Sequence, residues 1–324
     1  MKDTVRKSDL VFRPAGPGDA AFAADVDTAV RPFGPRDPVS YEYWWSQPDE
    51  NWEFARFIVT RGGRRLGYAT AEHPRWDVQP ERYGTVNGNV VPADRTTATL
   101  GALFEGMEER VIADGAKILT AWANEDDPLR IETLLARAYT EDRRSRRWEL
   151  DLLANREKLL AMTEVSRARM RKEGVRMLTL DADADPNVIA KIWRLSEEAG
   201  DDVPRTEPRV PEEMASYTRW VSAPEIHRDR FWIARVGDDV VGVSVLGYPP
   251  VRGVVNTEWT ATARSVRGRG IARALKCETV AQAIALGVDR VRTGNDAAND
   301  PILHLNETMG YHLIPGGINY LRPV

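Results

Sequence analysis

The sequence predicts an α+β fold made of two similar units in tandem, and three observations support this. A glycine-rich turn at residues 267–272 lies between a β-like run, Val254–Ala263, and a long helix rich in alanine and leucine. A related arginine turn occurs in the first half, at residues 95–100. The length of 324 residues suits two domains of about 150 residues each. Two copies of one α+β unit fit these features better than a single large domain.

The elements recur in the same order in both halves. Two alternating runs rich in β-branched residues flank a tight turn, at residues 57–71 and again at residues 231–246. Such runs are typical of a half-buried hairpin. Each half then continues with a strand, the arginine turn, a helix, a strand, a short helix and a last strand. We predict that last strand at Trp148–Leu152 in the first half and at Tyr311–Leu313 in the second.

The join between the halves is predicted to be helical. Apolar residues recur at spacings of three and four from Leu152 to Lys172. Gly174 follows and is predicted to cap the C-terminus of this helix. We therefore divide the chain into an N-terminal unit at 1–152, a connecting helix at 153–174 and a C-terminal unit at 175–324.

Composition excludes several classes of partner. The hydrophobic content of 42% and charged content of 29% are ordinary for a globular protein, and the net charge of −4 gives no reason to expect nucleic acid or an anionic membrane. Residues Met1–Leu10 are charged and lack an apolar core, so we predict no signal peptide, and no run is long enough to span a membrane. The single cysteine, Cys277, fits a reducing cytoplasm. Four scattered histidines predict no metal site.

The turn Arg267–Ala272 is the strongest candidate for a binding site. Successive backbone N–H groups at a helix N-terminus converge on a concavity that can hold a pyrophosphate. Gly268 and Gly270 would let the backbone approach the anion without a Cβ collision. The spacing matches neither the dinucleotide-binding glycine fingerprint nor the P-loop.

The second half resembles the GCN5-related N-acetyltransferase (GNAT) superfamily. The resemblance rests on Thr260-Ala261-Thr262, the turn with the helix start at 267–276, Asn295 and Asn299, and Asn306 with Gly310-Tyr311. It is weaker in the first half, through Phe12-Arg13-Pro14 and Asp19, and it extends over nearly the whole chain in a tandem arrangement like that of mycothiol synthase and other actinobacterial members. It implies two units, each with a mixed, mostly antiparallel sheet flanked by helices, and a splayed strand pair at an acyl-coenzyme A cleft.

The resemblance also implies acetyl-coenzyme A as acyl donor and a set of residues that bind it. These are Thr260, Ala261, Thr262, Arg267, Gly268, Arg269, Gly270, Ile271, Ala272, Asn295, Asn299 and Asn306. For two of these residues an alternative to cofactor binding stays open. Arg269 could be a solvated side chain, and Asn299 could cap the helix that follows it. Many members have a tyrosine acid at the place of Asn306, and an amide cannot deliver a proton. Tyr311, Tyr320 or water could replace that acid.

Glu258 is the candidate general base. It precedes Thr260 by two residues, so strand alternation would place its side chain on the same face as Thr260 and Thr262. Tryptophan and apolar neighbours could raise its pKa toward neutrality, as a base for an ammonium requires. The alternative is a surface carboxylate on a sheet. Asp201 and Asp202 are candidates for binding a cationic acceptor, or else belong to a capped, solvated loop.

The first unit is predicted to lack catalysis. Ala98 and Leu100 stand where the second unit has Gly270 and Ala272, and Val86 stands where it has Glu258. We therefore expect an acetyl-coenzyme A-dependent N-acetyltransferase, monomeric or homodimeric, that transfers directly to a small-molecule primary amine in a ternary complex. Two alternatives are a non-catalytic protein that senses coenzyme A or acts as a scaffold, and an acetyltransferase acting on protein amines.

Overall fold

The computed structural model describes residues 5–7, 9–47 and 49–324, and for residues 5–7, Asp300 and Pro301 it describes the backbone only. Residues 1–4, which form part of the stretch behind the prediction of no signal peptide, lie outside the described residues. No helix among the described residues is both long and apolar enough to cross a bilayer.

The first half follows the predicted order of elements, with longer strands. Its strands are β1 (Val5–Lys7), β2 (Leu10–Pro14), β3 (Trp52–Arg61), β4 (Arg64–Pro74), β5 (Tyr83–Val90), β6 (Ile118–Asn124) and β7 (Thr140–Asp151). Its helices are α1 (Ala20–Val30), α2 (Pro38–Ser46), α3 (Thr97–Ala113) and α4 (Pro128–Ala136).

The second half repeats this order after the connecting helix α5 (Arg156–Lys172). Its strands are β8 (Arg176–Thr179), β9 (Phe231–Val236), β10 (Asp239–Gly247), β11 (Val255–Thr262), β12 (Arg290–Asp296) and β13 (His312–Pro323). Its helices are α6 (Val188–Gly200), α7 (Met214–Val221), α8 (Ile271–Ala285) and α9 (Asp300–Met309). Helix α5 ends where expected, because Gly174 has a left-handed φ of 69°.

The thirteen strands of the described residues form one mixed sheet instead of one sheet per unit. The order is β1-β2-β3-β4-β5-β6-β13-β7-β12-β11-β10-β9-β8. Neighbouring strands are antiparallel except for two parallel pairs, β5 with β6 and β11 with β12. The fold class is therefore α+β as predicted, with the two units joined edge to edge through shared strands.

The two units exchange their last strands. Strand β13, the end of the second unit, lies between β6 and β7 of the first unit, while β7 pairs along its second half with β12. As a result Ile318 and Tyr320 belong to the apolar core of the first unit, and Trp148 and Leu150 belong to that of the second. The suggestion that Tyr320 could act as an acid in the second unit is wrong, because this side chain packs in the opposite core.

The exchange explains two errors of strand length. The charged run Glu141–Arg147, which precedes the predicted last strand Trp148–Leu152, belongs to β7 as well. Arg143 pairs with Asp296 of β12 at 2.9 Å, and Arg144 pairs with Glu125 and with Glu141 of its own strand. The last strand of the second unit is also much longer than the predicted Tyr311–Leu313, because it pairs on both sides.

Helices cover both faces of the sheet. In the second unit α8 packs on one face of the sheet, against β9, β10 and β11, and α5 packs against α8. Helix α6 packs on the other face, against β10 and β11. The buried side of α5 carries Leu159, Thr163, Ser166 and Met170 at helical spacing. Cys277 lies buried between α5 and α8, and this burial raises the pKa of its thiol.

The strand exchange predicts that neither unit folds alone. A fragment of residues 153–324 loses β7 as the partner of β12 and loses both partners of β13. Unpaired sheet edges of this length expose many backbone groups and promote aggregation. We expect the fragment to be insoluble or to lack a cooperative thermal transition, and co-expression with residues 1–152 to restore a folded heterodimer. A soluble, monomeric 153–324 fragment that unfolds cooperatively would contradict this arrangement.

Candidate active site

Strands β11 and β12 separate after a short paired stretch. They pair in parallel only at Val255 with Val291 and at Asn256 with Arg292. Strand β11 then continues to Thr262 along β10, while β12 continues to Asp296 along β7. The edge of β11 from residue 257 to residue 262 therefore faces an open wedge, where its backbone groups are available to an extended ligand.

The glycine turn lies at the wide end of this wedge and has the geometry of an anion site. Gly268 and Gly270 have φ values of 77° and 82°, a region that favours glycine. Gly270 is the N-cap of α8 and makes no side-chain cap. The first helical bond runs from Ala274 N–H to the Gly270 carbonyl, at 3.0 Å. The N–H groups of residues 271–273 precede that bond and stay available to a ligand.

Cationic side chains border the turn. A Cβ added at Gly270 would lie 3.0 Å from Nη1 of Arg169 on α5, so the Arg169 guanidinium is packed against the turn at Gly270. Arg169 and Arg269 both pair with Glu173, at 2.7 Å and 3.1 Å. Arg269 is thus held by an ion pair instead of being freely solvated. Ile271 is buried beneath the turn, and Ala272 is partly buried on the first turn of α8.

Glu258 lies at a β-bulge in β11. Trp259 is opposite Val245 and Thr257 is opposite Leu246, so Glu258 has no partner in β10. The bulge interrupts the alternation from which we predicted one common face with Thr260 and Thr262. Thr260 instead bonds Ser244 through its hydroxyl, at 2.8 Å, and the Glu258 side chain lies against Gly247. A Cβ at Gly247 would be 2.7 Å from Glu258 Oε1.

The Glu258 side chain is exposed to solvent, and the protein around it still partly desolvates its carboxyl. Desolvation by the surrounding protein raises its pKa, and the neighbouring Glu225 carboxylate adds to this, whereas Asn256 and Arg36 oppose it. Asn256 Nδ2 is 3.4 Å from Glu258 Oε1. Arg36 comes from the first unit, so both units contribute to the surroundings of Glu258.

The segment 31–37 of the first unit docks beside Glu258. Asp37 accepts hydrogen bonds from the backbone N–H groups of Val251 and Arg252, at 2.7 and 2.8 Å. The Phe33 carbonyl accepts a 2.6 Å bond from Arg292 of β12. Just beyond this segment, Ser40 and Trp44 of α2 both donate to Glu225. The surface of the second unit next to Glu258 is therefore partly covered by the first unit.

Three asparagines were predicted to contact the cofactor, and they lie in different surroundings. Asn295 stands at the end of β12 and accepts a 2.9 Å bond from Asn306 Nδ2. Asn306 is fully buried, and its Oδ1 has no hydrogen-bond partner. Asn299 occupies the N-cap position of α9, but its side chain makes no capping bond. Asn306 thus orients Asn295, and the side chain of Asn299 is not used as a cap.

A buried polar cluster lies behind the narrow end of the wedge, and the sequence analysis missed it. Lys276 of α8 is buried with its ammonium 5.1 Å from the centre of the Tyr311 ring. Desolvation lowers the pKa of Lys276 to about 8. The hydroxyls of Thr257 and Tyr311 are buried without hydrogen-bond partners. Unsatisfied buried polar groups are rare in folded proteins and are often explained by an absent ligand or solvent.

Asp201 and Asp202 are engaged by arginines at the edge of the turn. Asp202 pairs with Arg264 at 2.8 Å and Arg267 at 2.6 Å, and these hydrogen bonds lower its pKa to about 2. Asp201 pairs with Arg209 at 2.8 Å. Acceptor binding by these two carboxylates stays a prediction, and their ion pairs argue against it, because a cationic amine would have to displace a guanidinium.

The corresponding wedge of the first unit is filled. Strands β5 and β6 pair only from Tyr83 to Thr85 and then separate. Arg130 of α4 is buried in this space and donates to the Gly88 carbonyl at 2.9 Å and to Asn87 Oδ1 at 2.6 Å. Gly88 corresponds to Thr260 in the repeat. The free edge that β11 offers in the second unit is thus occupied by a guanidinium in the first.

In the first unit, side chains also occupy the helix N-terminus at the arginine turn and the narrow end of the wedge. The Thr96 hydroxyl caps α3 by accepting from Thr99 N–H at 3.1 Å, and Arg95 turns inward to pair with Asp127. Glu207, from the loop after α6 of the second unit, accepts a 2.6 Å bond from Thr120 at the last parallel pair. Each unit therefore sends a loop onto the wedge of the other.

A separate cavity of about 340 Å³ lies between α2 and α7. Its walls include Trp44, Trp52 and Trp220, with the carboxylates of Glu72 and Glu212 among them. None of the predicted site residues lines it. Among the described residues, no group of three or more histidine, cysteine, aspartate or glutamate side chains is arranged to hold a metal ion.

The comparisons with known proteins agree with this architecture. Residues 189–311 match the acetyltransferase (GNAT) family. A search of curated proteins finds none that matches the sequence. Solved structures match over the whole chain at low identity, so they bear on the fold.

Three structural matches illustrate the likeness. The chain is similar to a tandem GNAT protein from the clavulanic acid biosynthesis pathway, with 16% identity, 97% and 98% of the two chains covered, and a TM-score of 0.74. It is similar to a GCN5-related N-acetyltransferase from Sphaerobacter thermophilus, with 18% identity, 98% and 97% coverage and a TM-score of 0.66. It also matches the glucosamine N-acetyltransferase region of a fungal multi-domain β-N-acetylglucosaminidase, with 12% identity, 99% and 39% coverage and a TM-score of 0.69.

Proposed function

We propose that this chain, an acyltransferase with a GNAT family domain at residues 189–311, transfers an acetyl group from acetyl-coenzyme A to a small-molecule primary amine. The reaction takes place in the C-terminal unit. The observation that carries this proposal is the contrast between the two wedges: the second has a free strand edge and an uncapped helix N-terminus, and the first has neither.

The cofactor fits the open wedge by its chemistry. Amides of residues 268–272, at the positive end of the α8 dipole, suit a diphosphate, and Arg169 adds a cation beside Gly270. The free edge of β11 at Thr260, Ala261 and Thr262 suits the two amides of pantetheine, as an added strand would. An extended chain that starts at the turn and follows this edge leads toward Glu258 and the narrow end of the wedge.

Glu258 and Lys276, near the narrow end of the wedge, each carry out one proton transfer. Bound acetyl-coenzyme A supplies the acyl carbon as a thioester. Glu258 takes a proton from the acceptor ammonium, and the freed nitrogen forms a bond to the acyl carbon while the carbon–sulfur bond breaks. The nitrogen then releases its second proton to water, which leaves the neutral amide. Lys276 gives a proton to the sulfur that leaves, or neutralises its charge, in place of the tyrosine acid that this chain lacks at Asn306. A pKa of about 8 suits that role near neutral pH.

Two alternatives are less well supported. A sensor or scaffold without catalysis has no need for a buried ammonium at Lys276, which costs folding free energy. A protein acceptor would need open access beside Glu258, where segment 31–37 of the first unit is docked. A small acceptor suits this partly closed surface better.

Coenzyme A should bind once per chain. The variant Ala272→Glu places a carboxylate at the anion site, and acidic residues are favourable in the first turn of a helix, so the fold should be unaffected. We expect calorimetry to give one site for the wild-type chain and no measurable binding for Ala272→Glu. Ala98→Glu puts the same carboxylate in the first turn of α3 in the first unit, at the exposed counterpart of Gly270, and should leave binding unchanged. Two equivalent sites per chain, or full affinity in Ala272→Glu, would refute the assignment.

The pH profile of kcat/KM should be bell-shaped. Glu258 must be deprotonated, so activity rises as pH passes its raised pKa, and Lys276 must be protonated, so activity falls above about pH 8. Lys276→Met should remove the alkaline limb and lower kcat about 100-fold. Lys117→Met, on the surface, serves as control. An unchanged alkaline limb in Lys276→Met, with the same acceptor, would exclude this lysine.

The same substitution has an expected effect on stability. The folded pKa of Lys276 is below its usual value, so the charged form destabilises the native state at pH 7, and stability rises as pH increases from about 8 toward 10.5. Lys276→Met should therefore raise Tm at pH 7 while it lowers kcat. A lysine needed only for folding would give a lower Tm instead.

Gly247→Ala tests the position of the Glu258 carboxyl without removing it. The added methyl group would lie 2.7 Å from Oε1 and displace the side chain, while the backbone there needs no glycine conformation. We expect kcat to fall about 10- to 100-fold with an unchanged KM for acetyl-coenzyme A. The double variant with Glu258→Gln should be no slower than Glu258→Gln alone. Multiplicative losses in the double variant would show that the two residues act independently.

A further inference from the structure

Four arginines from the two units lie close enough to interact electrostatically, and one of them, Arg36, also interacts with Glu258. Arg31 and Arg36 lie on segment 31–37, Arg147 lies on β7, and Arg292 lies on β12. Each of Arg31, Arg36 and Arg292 repels Arg147 electrostatically, and Arg36 also interacts with Glu258. Arg31 and Arg147 both donate to the single amide oxygen Oδ1 of Asn124, the latter at 2.7 Å.

Carboxylates do not fully balance this group. Arg292 pairs with Glu149 at 2.8 Å, and Arg31 is 3.6 Å from the half-exposed Asp126. Among the described residues, neither Arg36 nor Arg147 has a carboxylate within 4.0 Å. Asp27 and Glu258 nevertheless attract Arg36 from farther away and help to raise its pKa, whereas Asp126 only partly offsets the repulsion on Arg147. The guanidinium of Arg147 lies 4.7 Å over the ring of Trp122 instead. Burial, together with the charges of Arg31 and Arg36, lowers the pKa of Arg147 to about 10.

A part-buried cation such as Arg147, which is close to other arginines and has no carboxylate within ion-pair distance, destabilises a fold, and such arrangements concentrate at binding sites. A guanidinium presents a planar set of donors that suits carboxylate and phosphate oxygens. Arg36 links these arginines electrostatically to Glu258, the residue at which the proposed function places the acceptor amine. The group that would complete them therefore belongs to the acceptor.

We propose that the acceptor amine carries an anionic group, a carboxylate or a phosphate, that binds to Arg147 and Arg31, with Arg36 between this group and Glu258. The inference rests on the proposed function, since it places the amino group at Glu258. The anionic group takes no part in the bond changes and serves to position the amine. The first unit then has a role although its own wedge is filled: it supplies the cations that select the acceptor.

The test uses pairs of primary amines matched in size. Ethanolamine and O-phosphoethanolamine form one pair, and glycinamide and glycine form the other, so the two pairs separate a preference for phosphate from one for carboxylate. We expect the anionic member of at least one pair to be the better substrate. Arg147→Gln should lower kcat/KM for that member about 10- to 100-fold, as expected for one lost charged hydrogen-bond pair, and should leave the neutral member unchanged.

Arg144→Gln is the matched control, because it removes the same charge from the same strand where Arg144 forms exposed ion pairs with Glu125 and Glu141. It should not change the preference. Arg147→Gln should also leave Tm unchanged or higher, whereas a purely structural arginine would give a lower Tm. Equal losses for neutral and anionic amines in Arg147→Gln would overturn the proposal.

A binding measurement separates this proposal from the proposed function. Inorganic phosphate and succinate are titrated against the Ala272→Glu protein, in which the turn is blocked, with Tm as the readout. Either anion should raise Tm, and the added change Arg147→Gln should abolish the effect, while Arg144→Gln should not. This result without transfer to any amine would support the anion site and contradict the proposed function. The absence of any anion response would overturn the anion site itself.

Discussion

The insertion of β13 between β6 and β7 is the interaction on which the rest of the structure depends. It joins the two units through backbone hydrogen bonds on both sides of one strand, so that their relative position is fixed by sheet register. Most inter-domain contacts involve only side chains and permit motion. Here a fixed register brings segment 31–37 of the first unit to the same place beside Glu258 in every molecule.

The two units differ in how they satisfy the backbone groups that a separating strand pair leaves without partners. A parallel strand pair that separates leaves one edge of each strand without partners, and these groups need a ligand or a side chain. In the first unit Arg130 and the Thr96 cap satisfy them permanently. In the second unit Leu303 stands at the position of Arg130 and packs into the core. The N-cap of α8 is Gly270, which has no side chain to cap the helix as Thr96 caps α3. The result is one stabilised wedge and one wedge that is free to bind.

Much of this could be predicted from sequence because it depends on local patterns. The hairpins, the arginine turns and the helix to Gly174 follow from residue spacing, and so does the absence of Gly270 and Glu258 equivalents in the first unit. The exchange of β7 and β13 could not be predicted, because strand pairing between units leaves no local signal. The bulge at Glu258 was missed for a related reason: only the register against β10 reveals it.

The site residues that the sequence did not indicate are those positioned by long-range packing. Arg169 reaches Gly270 from the connecting helix, and Arg36 and Arg147 are contributed by the first unit. Lys276 lies within a motif that we used, yet its burial against Tyr311 depends on the position of Tyr311 just before β13. Asp201 and Asp202 show the same limit, since adjacent carboxylates in a loop gave no sign of the arginines that pair with them.

A crystal structure of the full chain with acetyl-coenzyme A tests the central claim most directly, namely that one wedge binds the cofactor and the other is closed by its own side chains. The account predicts density for a diphosphate on the amides of residues 268–272 and for an extended chain along β11, with Arg130 still bonded to Gly88. Density for the cofactor between β5 and β6, with Arg130 displaced, would contradict it.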